Sequence, residues 1–230
     1  MRVEPIGTIQ SCFKEKFGIP RQAGLVPEAR AIIRLKDDRR FREALDGLEA
    51  FSHVWILFAF HESVADGWRS KVRPPRLGGA KKVGVFASRS PHRPNPIGMS
   101  VVRIVRIDPS APDGPEIEVA GGDFLDGTPV IDLKPYVPYA DHPRGANSGW
   151  AEKPMRRLTI RFDTRASRQV TQLERTHPGL RRLIRQILAQ DPRPAFQARA
   201  SGEYAARLLD FDLRWEVSGH VATVRELAPA

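Results

Sequence analysis

Six short apolar runs dominate the first two thirds of the chain, and they limit the folds that it can adopt. The runs are rich in β-branched and aromatic residues, as strands are. They cover residues 29–35, 53–60, 82–88, 97–107, 116–124 and 128–137. Glycine and proline separate them, and only residues 38–48 have apolar positions at helical spacing. The pattern predicts an antiparallel barrel or sandwich and argues against a parallel, doubly wound sheet.

The last third of the chain has a different pattern. Residues 155–163 alternate as a strand, and two helical segments follow, separated at residues 177–179. We expect Pro178 to occupy the first position of the second helix, which has an apolar stripe formed by Leu180, Leu183, Ile184, Ile187 and Leu188. Residues 204–217 and 220–227 read as a terminal hairpin around Ser218-Gly219-His220. The sequence therefore predicts two domains, 1–150 and 151–230.

The charge of the chain suggests a polyanionic partner. The formal net charge is +10, and residues 153–230 carry 15 basic and 8 acidic side chains. Clustered Lys and Arg side chains displace counterions from nucleic-acid phosphates. Arg181, Arg182 and Arg185 lie off the apolar stripe, and they are either phosphate contacts or a solvated helix face.

The cysteine count and the terminal sequence predict a cytoplasmic protein. Cys12 is the single cysteine, so no intrachain disulfide can form. The first ten residues lack the apolar stretch of a signal peptide. No run approaches the roughly 18 apolar residues that a membrane span needs, so we expect no membrane association.

The segment Ser88–Gly98 is stiff and rich in hydrogen-bond donors. Pro91, Pro94 and Pro96 fix the backbone, and each moves the residue before it out of the helical region. A loop that is ordered before a ligand arrives binds with a smaller entropy loss. The loop is either a ligand site or a rigid connector.

Three further stretches are chemically dense: residues 17–24, 60–63 and 123–136. The first sets Pro-Arg between glycines, the second places His and Glu where a strand ends, and the third has an Asp-Gly turn after an apolar run. His61, Glu62 and His92 match no metal-ligand spacing, so we predict no metal site. Trp150 lies in a Gly/Asn loop, where an aromatic ring can stack on a base.

These three stretches and the proline loop together resemble the TrmO (TsaA/VirR-like) family of tRNA adenine N6-methyltransferases. Residues 191–194 ("DPRP") and 208–217 resemble that family's C-terminal extension. The resemblance implies a mainly β fold, with a small antiparallel β-barrel that binds S-adenosylmethionine and a smaller α+β C-terminal domain. It also implies a homodimer. The cofactor contacts that it implies are Pro20, Arg21, Gln22, His61, Glu62, Arg89, Met99, Leu125, Asp126, Gly127 and Thr128.

The substrate that the resemblance implies is threonine tRNA carrying N6-threonylcarbamoyladenosine (t6A) beside its anticodon, which is methylated at N6 to m6t6A. We expect Arg93 and Asn95 to hold the threonylcarbamoyl group, while Asp126 or a water takes the proton. Two other functions remain open, a non-catalytic RNA-binding barrel and a small-molecule methyltransferase on the same barrel. The acidic residues Glu62 and Asp126 argue against the first, because they would repel phosphates.

Overall fold

Twelve strands and four α-helices form the part of the chain that the computed structural model describes, residues 3–79, 81–152, 157–193 and 201–229. The strands are β1 Gly7–Ser11, β2 Arg30–Leu35, β3 His53–Ala59, β4 Lys71–Val72, β5 Val83–Gly84, β6 Ile97–Asp108, β7 Glu116–Ala120, β8 Thr128–Pro135, β9 Thr159–Phe162, β10 Gly202–Leu208, β11 Phe211–Ser218 and β12 Val221–Pro229. The helices are α1 Arg39–Glu43, α2 Pro138–Asp141, α3 Thr164–Leu173 and α4 Leu180–Ala189. None of these helices is long and apolar enough to cross a membrane.

Six of the strands close into an antiparallel barrel in the order β1-β2-β7-β6-β3-β8, which confirms the predicted fold class. Strand β3 shows why the sequence closes this way, since its residues alternate between buried and half-buried. Val54, Ile56 and Phe58 point into the barrel core, and β6 and β8 pair with the two edges of β3. Because a closed barrel has no free edge, its backbone hydrogen bonds are satisfied within the barrel.

A second sheet, in the order β10-β11-β12-β9, forms the C-terminal part together with α3 and α4. The five residues of the predicted apolar stripe on α4 are all buried, at 0–6% exposure, which confirms that prediction. Cys12, Phe13, Val26 and Ala29 pack into the same core although they come from the N-terminal part of the chain. This shared core holds the segment after β1 between the barrel and the C-terminal sheet.

Two predictions in the barrel region were wrong in detail. The predicted strand at 82–88 is only two residues long, because a 3-10 turn follows at Val85–Ala87 and the Ser88 hydroxyl donates to the Val85 carbonyl (2.8 Å). The predicted helix at 38–48 ends at Glu43, and Gly47 has a left-handed φ of 81° that a helix cannot contain. Strand β1 was not predicted.

Two boundaries in the C-terminal part also differ from the predictions. Helix α4 begins two residues after Pro178, because Gly179 adopts a left-handed φ of 87° at its N-cap. The predicted first strand of the hairpin is two strands, β10 and β11, since Leu209 has a φ of 57° and turns the chain. The hairpin of β11 and β12 is confirmed. Residues 155 and 156 of the predicted strand at 155–163, and Pro194, lie outside the described residues.

Candidate active site

A cavity of about 500 Å³ lies where β3 ends and β6 and β8 begin. The four loops singled out from the sequence all contribute to its wall. Ten of the predicted site residues line it: Pro20, Arg21, Gln22, His61, Glu62, Arg89, Arg93, Met99, Leu125 and Thr128. The structure therefore brings together loops that are more than 100 residues apart in sequence.

Arg21 is a half-buried cation of this wall, and the C-terminal part of the chain orients it. Its Nη2 donates to the carbonyl oxygens of Arg193 (3.0 Å) and Asp191 (3.4 Å). Its Nη1 is buried and has no hydrogen-bond partner among the described residues. Burial lowers the pKa of the Arg21 guanidinium; Asp191 opposes this shift and the nearby positive charge of Arg76 adds to it. An unpaired guanidinium nitrogen in a cavity wall is suited to an anionic group, above all a carboxylate.

The first loop and the proline loop are joined by hydrogen bonds across the cavity. Arg89 Nη1 donates to Gln22 Oε1, and Gln22 Nε2 donates to the Arg21 carbonyl oxygen. These bonds connect three predicted cofactor contacts in one chain of polar groups. They fix the two loops relative to each other without a ligand.

The proline loop is held by its own polar groups. Arg93 Nη1 donates to the carbonyl oxygens of Ser88 (2.8 Å) and Val85 (3.3 Å), and the Arg93 N–H donates to the Pro91 carbonyl (2.8 Å). Much of the hydrogen-bonding capacity of Arg93 is therefore used inside the loop. Arg93 lines the cavity, whereas Asn95 is exposed and does not line it, and their grip on the threonylcarbamoyl group stays a prediction.

Asp123 and Ser100 form a polar pair in the cavity wall that sequence reasoning missed. The Ser100 hydroxyl donates to Asp123 Oδ1 at 2.7 Å, and both residues line the cavity. Burial raises the pKa of the Asp123 carboxyl, while the Ser100 hydrogen bond and the positive charge of Arg89 oppose the rise. A carboxylate near the end of the run 116–124 was the available signal, but its partner Ser100 lies 23 residues earlier.

Asp126 and Gly127 shape the turn beside the cavity but do not line it. Asp126 Oδ1 accepts a hydrogen bond from the Ser11 N–H (2.7 Å), and Oδ2 pairs with Lys14 Nζ (2.8 Å). Gly127 has a left-handed φ of 76°, which the turn requires. Both carboxylate oxygens of Asp126 therefore have partners within the protein. The sequence had suggested Asp126 as a proton acceptor.

His61 and Glu62 lie in the 3-10 turn His61–Ser63 directly after β3, as the sequence indicated. Glu62 is exposed, and Lys16 Nζ donates to its carbonyl oxygen at 2.9 Å. Met99 is 53% exposed at the cavity rim. Within the described ranges, no group of three or more His, Cys, Asp or Glu residues is arranged to hold a metal ion.

The three arginines of α4 have different surroundings. Arg181 donates to the Ser167 carbonyl (3.0 Å) and to the Thr171 hydroxyl (3.0 Å), which ties α4 to α3. Arg182 pairs with Glu28 at 3.4 Å, and Arg185 is exposed. The Arg185 guanidinium lies over the Phe162 ring, 5.4 Å from its centroid, so each of the three arginines has a contact within the chain, and their binding of phosphates stays a prediction.

Comparison with known proteins gives one consistent result. The tRNA-methyltransferase O N-terminal domain matches residues 8–142, and the TrmO C-terminal domain matches residues 155–230. The chain is 44% identical to a protein of Escherichia coli (strain K12) named tRNA (adenine(37)-N6)-methyltransferase, over 98% of this chain and 97% of the relative. It is 48% identical to a Pseudomonas aeruginosa PAO1 protein, over 93% of this chain and 91% of the relative, whose name classes it provisionally as an S-adenosylmethionine-dependent methyltransferase.

A solved structure agrees with these sequence relatives. The crystal structure of TrmO from Pseudomonas aeruginosa superimposes with a TM-score of 0.80 at 40% identity, covering 99% of this chain and 98% of that one. Both domain matches lie on the barrel and C-terminal sheet described above. The chain belongs to the tRNA-methyltransferase O family.

Proposed function

We propose that this chain is a tRNA (adenine(37)-N6)-methyltransferase that uses S-adenosylmethionine and converts t6A beside the anticodon of threonine tRNA to m6t6A. The family membership and the names of the relatives support the adenine-37 activity and the cofactor. The observation that carries the proposal is the single cavity in which four loops gather an unpaired arginine nitrogen and a partly buried carboxylate. A homodimer and a cytoplasmic location belong to the same proposal, and they rest on the family resemblance and the sequence.

The residues of the cavity fit S-adenosylmethionine. The cofactor has a carboxylate, an ammonium group, a sulfonium and an adenosine, so it needs a cation, acceptors and apolar surface. Arg21 Nη1 supplies an unpaired donor, Glu62 supplies a carboxylate, and Phe58 and Leu125 supply apolar surface. A cavity of about 500 Å³ lies within the range of small-molecule sites, about 300–1,000 Å³.

When bound, S-adenosylmethionine supplies a methyl group on a sulfonium, which is transferred by in-line displacement. The contribution of the chain is to hold donor and acceptor in line, and pre-ordered loops do so with little entropy loss. The bonds of Arg89 to Gln22 and of Arg93 to Ser88 keep the two loops fixed. In this proposal Arg21 holds a carboxylate, either of the cofactor or of the threonyl group of the substrate.

Asp123 is the residue that we assign to the proton of N6. The carbamoyl group withdraws the N6 lone pair, so removal of the N6 proton exposes the nucleophile. Asp123 lines the cavity, and its raised pKa makes it a better base than an ordinary aspartate. The earlier candidate, Asp126, already has Ser11 and Lys14 as partners. Ser100 orients the Asp123 carboxylate through its 2.7 Å hydrogen bond.

Mass analysis of tRNA nucleosides tests the proposal. Threonine tRNA that carries t6A but lacks the extra methyl group is incubated with the protein and S-adenosylmethionine. We expect t6A to gain the mass of one methyl group, with fragments that place it on N6. The controls are the same reaction without the cofactor and the same tRNA sequence with unmodified adenosine, neither of which should gain the methyl group.

The other outcomes decide between the remaining functions. Binding of tRNA without any methylated nucleoside would leave a non-catalytic RNA-binding barrel. Cofactor binding without tRNA binding would leave a small-molecule methyltransferase. Methylation of unmodified adenosine would keep the adenine-37 activity and contradict the t6A substrate.

A further inference from the structure

A second groove adjoins the candidate active site on the side of the proline loop. Its volume is about 620 Å³, and it shares Arg21, Gln22, Ser88 and Arg89 with the cavity. These shared residues form the boundary between the two spaces. The cavity and the groove are therefore adjacent, and the side chains that separate them include the hydrogen-bonded pair Arg89 and Gln22.

The two walls of the groove are fastened to each other. Residues 86–89, at the start of the proline loop, form one wall, and Asn147, Ser148, Trp150 and Ala151 form the other. The Trp150 indole N–H donates to the Ala87 carbonyl oxygen at 3.1 Å. Arg76 Nη1 donates to the Ala151 carbonyl oxygen at 2.7 Å. The groove is thus formed before a ligand arrives, and the Trp150 ring has a fixed position.

The groove is strongly positive. Four arginines line it, Arg21, Arg76, Arg89 and Arg157, and no Asp or Glu is among its described lining residues. Arg76 contributes to the lowered pKa of Arg21, which indicates that the two guanidinium groups repel each other. Such a concentration of arginine favours a ligand with several negative charges, as a phosphodiester chain has.

Two aromatic rings are exposed in this positive groove. Phe86 is 78% exposed and Trp150 is 38% exposed. Aromatic faces beside arginines are typical of sites that bind single-stranded RNA, where unstacked bases lie on the rings.

We propose that this groove binds the single-stranded RNA next to the target nucleotide. In this assignment a base stacks on Trp150 and Phe86, while the arginines pair with the flanking phosphates. The assignment rests on the proposed function only in taking RNA as the substrate. It places the RNA contact nearest to the reaction in the loops beside the barrel, with Arg157 and Gln190 contributed by the C-terminal part.

Binding of t6A-containing threonine tRNA to single variants tests this assignment. We expect Trp150→Ala and Phe86→Ala each to weaken the tRNA affinity by about 10-fold, in line with the loss of one base–aromatic stack. Tyr139→Ala is the matched control, because Tyr139 is an aromatic residue with 91% exposure outside the groove. Its tRNA affinity should equal that of the wild type, and the thermal midpoints of Tyr139→Ala and Phe86→Ala should also equal the wild-type value.

Two further variants separate stacking from charge and from misfolding. Trp150→Phe keeps an aromatic ring but loses the hydrogen bond to the Ala87 carbonyl, so most of the tRNA affinity should remain. Arg157→Gln should make the slope of log affinity against log salt shallower by about 0.7, the loss of one single-strand phosphate contact. An unchanged slope would mean that Arg157 contacts no phosphate and would count against the assignment.

The outcomes for the groove and for the reaction are separable. Wild-type tRNA affinity in both Trp150→Ala and Phe86→Ala would overturn the groove assignment, even if the wild type methylates tRNA. Weakened binding in both variants would support the groove even if no methylated nucleoside forms. A third outcome is that the wild type sediments as a dimer and either variant sediments as a monomer with unchanged tRNA affinity. The groove would then be an interface between copies of the chain, and the assignment would be overturned.

Discussion

Gly98 lies at the closest approach of the proline loop to the barrel core, and replacing it tests how tightly the cavity is built. Gly98 is buried in β6 opposite Phe58 of β3. A Cβ at this position would lie 2.3 Å from Phe58 Cζ and 2.4 Å from Cε2. The Phe58 ring packs edge-on against Phe60 and Phe124, with centroids 5.2 and 5.1 Å away. The ring therefore cannot move aside without disturbing two other aromatic residues.

The cost of Gly98→Ala follows from these contacts. An overpacked core costs about 1–3 kcal/mol, and each disturbed aromatic pair costs about 0.5–1.5 kcal/mol more. We expect the free energy of unfolding to fall by roughly 2–6 kcal/mol. For a chain of this length each kcal/mol lowers the melting temperature by about 2–4 °C, so the melting temperature should fall by roughly 4–24 °C.

Differential scanning calorimetry of Gly98→Ala and Gly84→Ala measures this effect. Gly84 is the matched control, because a Cβ there meets nothing within 4 Å and its φ is −60°. Gly84→Ala should leave the melting temperature unchanged or slightly higher. Both Gly98 and Phe58 line the cavity, so Gly98→Ala should also weaken S-adenosylmethionine binding. Equal melting temperatures for the two variants would refute the packing argument.

Three substitutions in the cavity test the assigned roles. Asp123→Asn should slow single-turnover methylation at saturating cofactor by about 100-fold or more. The rise of the methylation rate with pH, which we expect for the wild type, should be absent in this variant. A methylation rate like that of the wild type would exclude Asp123 as the base. Burial raises the pKa of Asp123 above its ordinary value of 3.8, so the wild type loses stability as pH rises through that raised pKa. The amide that replaces this carboxyl in the variant does not titrate. The melting temperature of Asp123→Asn relative to the wild type should therefore increase with pH from about 4 toward neutrality. Arg21→Lys keeps the positive charge but loses the planar guanidinium, which can bind both oxygens of a carboxylate. Calorimetry should show roughly 10-fold weaker binding of either the cofactor or the tRNA. Unchanged affinity for both would refute a carboxylate contact of Arg21. Asp126→Asn removes a half-exposed ion pair with Lys14, so the free energy of unfolding should fall by about 1 kcal/mol or less and the methylation rate should not change. A loss of rate above about 10-fold would mean that Asp126 takes part in the reaction.

Local patterns in the sequence predicted the strands and the loops well because each depends on neighbouring residues. The apolar stripe of α4 and the alternation of β3 are both visible in the sequence and both buried as expected. Strand β1 was missed, since its five residues mix polar and apolar side chains and gain their burial from β2 and β8. Gly179 and Leu209 moved two boundaries, because left-handed backbone conformations are set by tertiary contacts as well as by residue type.

The site was harder to predict because it depends on partners distant in sequence. The sequence indicated the loops that line the cavity, and it suggested Asp126 as a proton acceptor but not Asp123, which lines the cavity where Asp126 does not. The Asp126 carboxylate accepts a hydrogen bond from the Ser11 N–H and forms an ion pair with Lys14. Both partners lie at or just after the end of β1, more than 100 residues earlier in the sequence. The contact of Arg21 with the Arg193 carbonyl oxygen was equally hidden, since it joins residues 172 positions apart.

A crystal structure of the chain grown with S-adenosylmethionine tests the central claim, that the barrel cavity holds the methyl donor. We predict electron density for the cofactor within the cavity, in contact with residues of the first loop, the β3 end and the turn before β8, and with a carboxylate at Arg21 Nη1. Density for the cofactor at any other place on the protein, or an empty cavity in crystals grown at saturating cofactor, would contradict it.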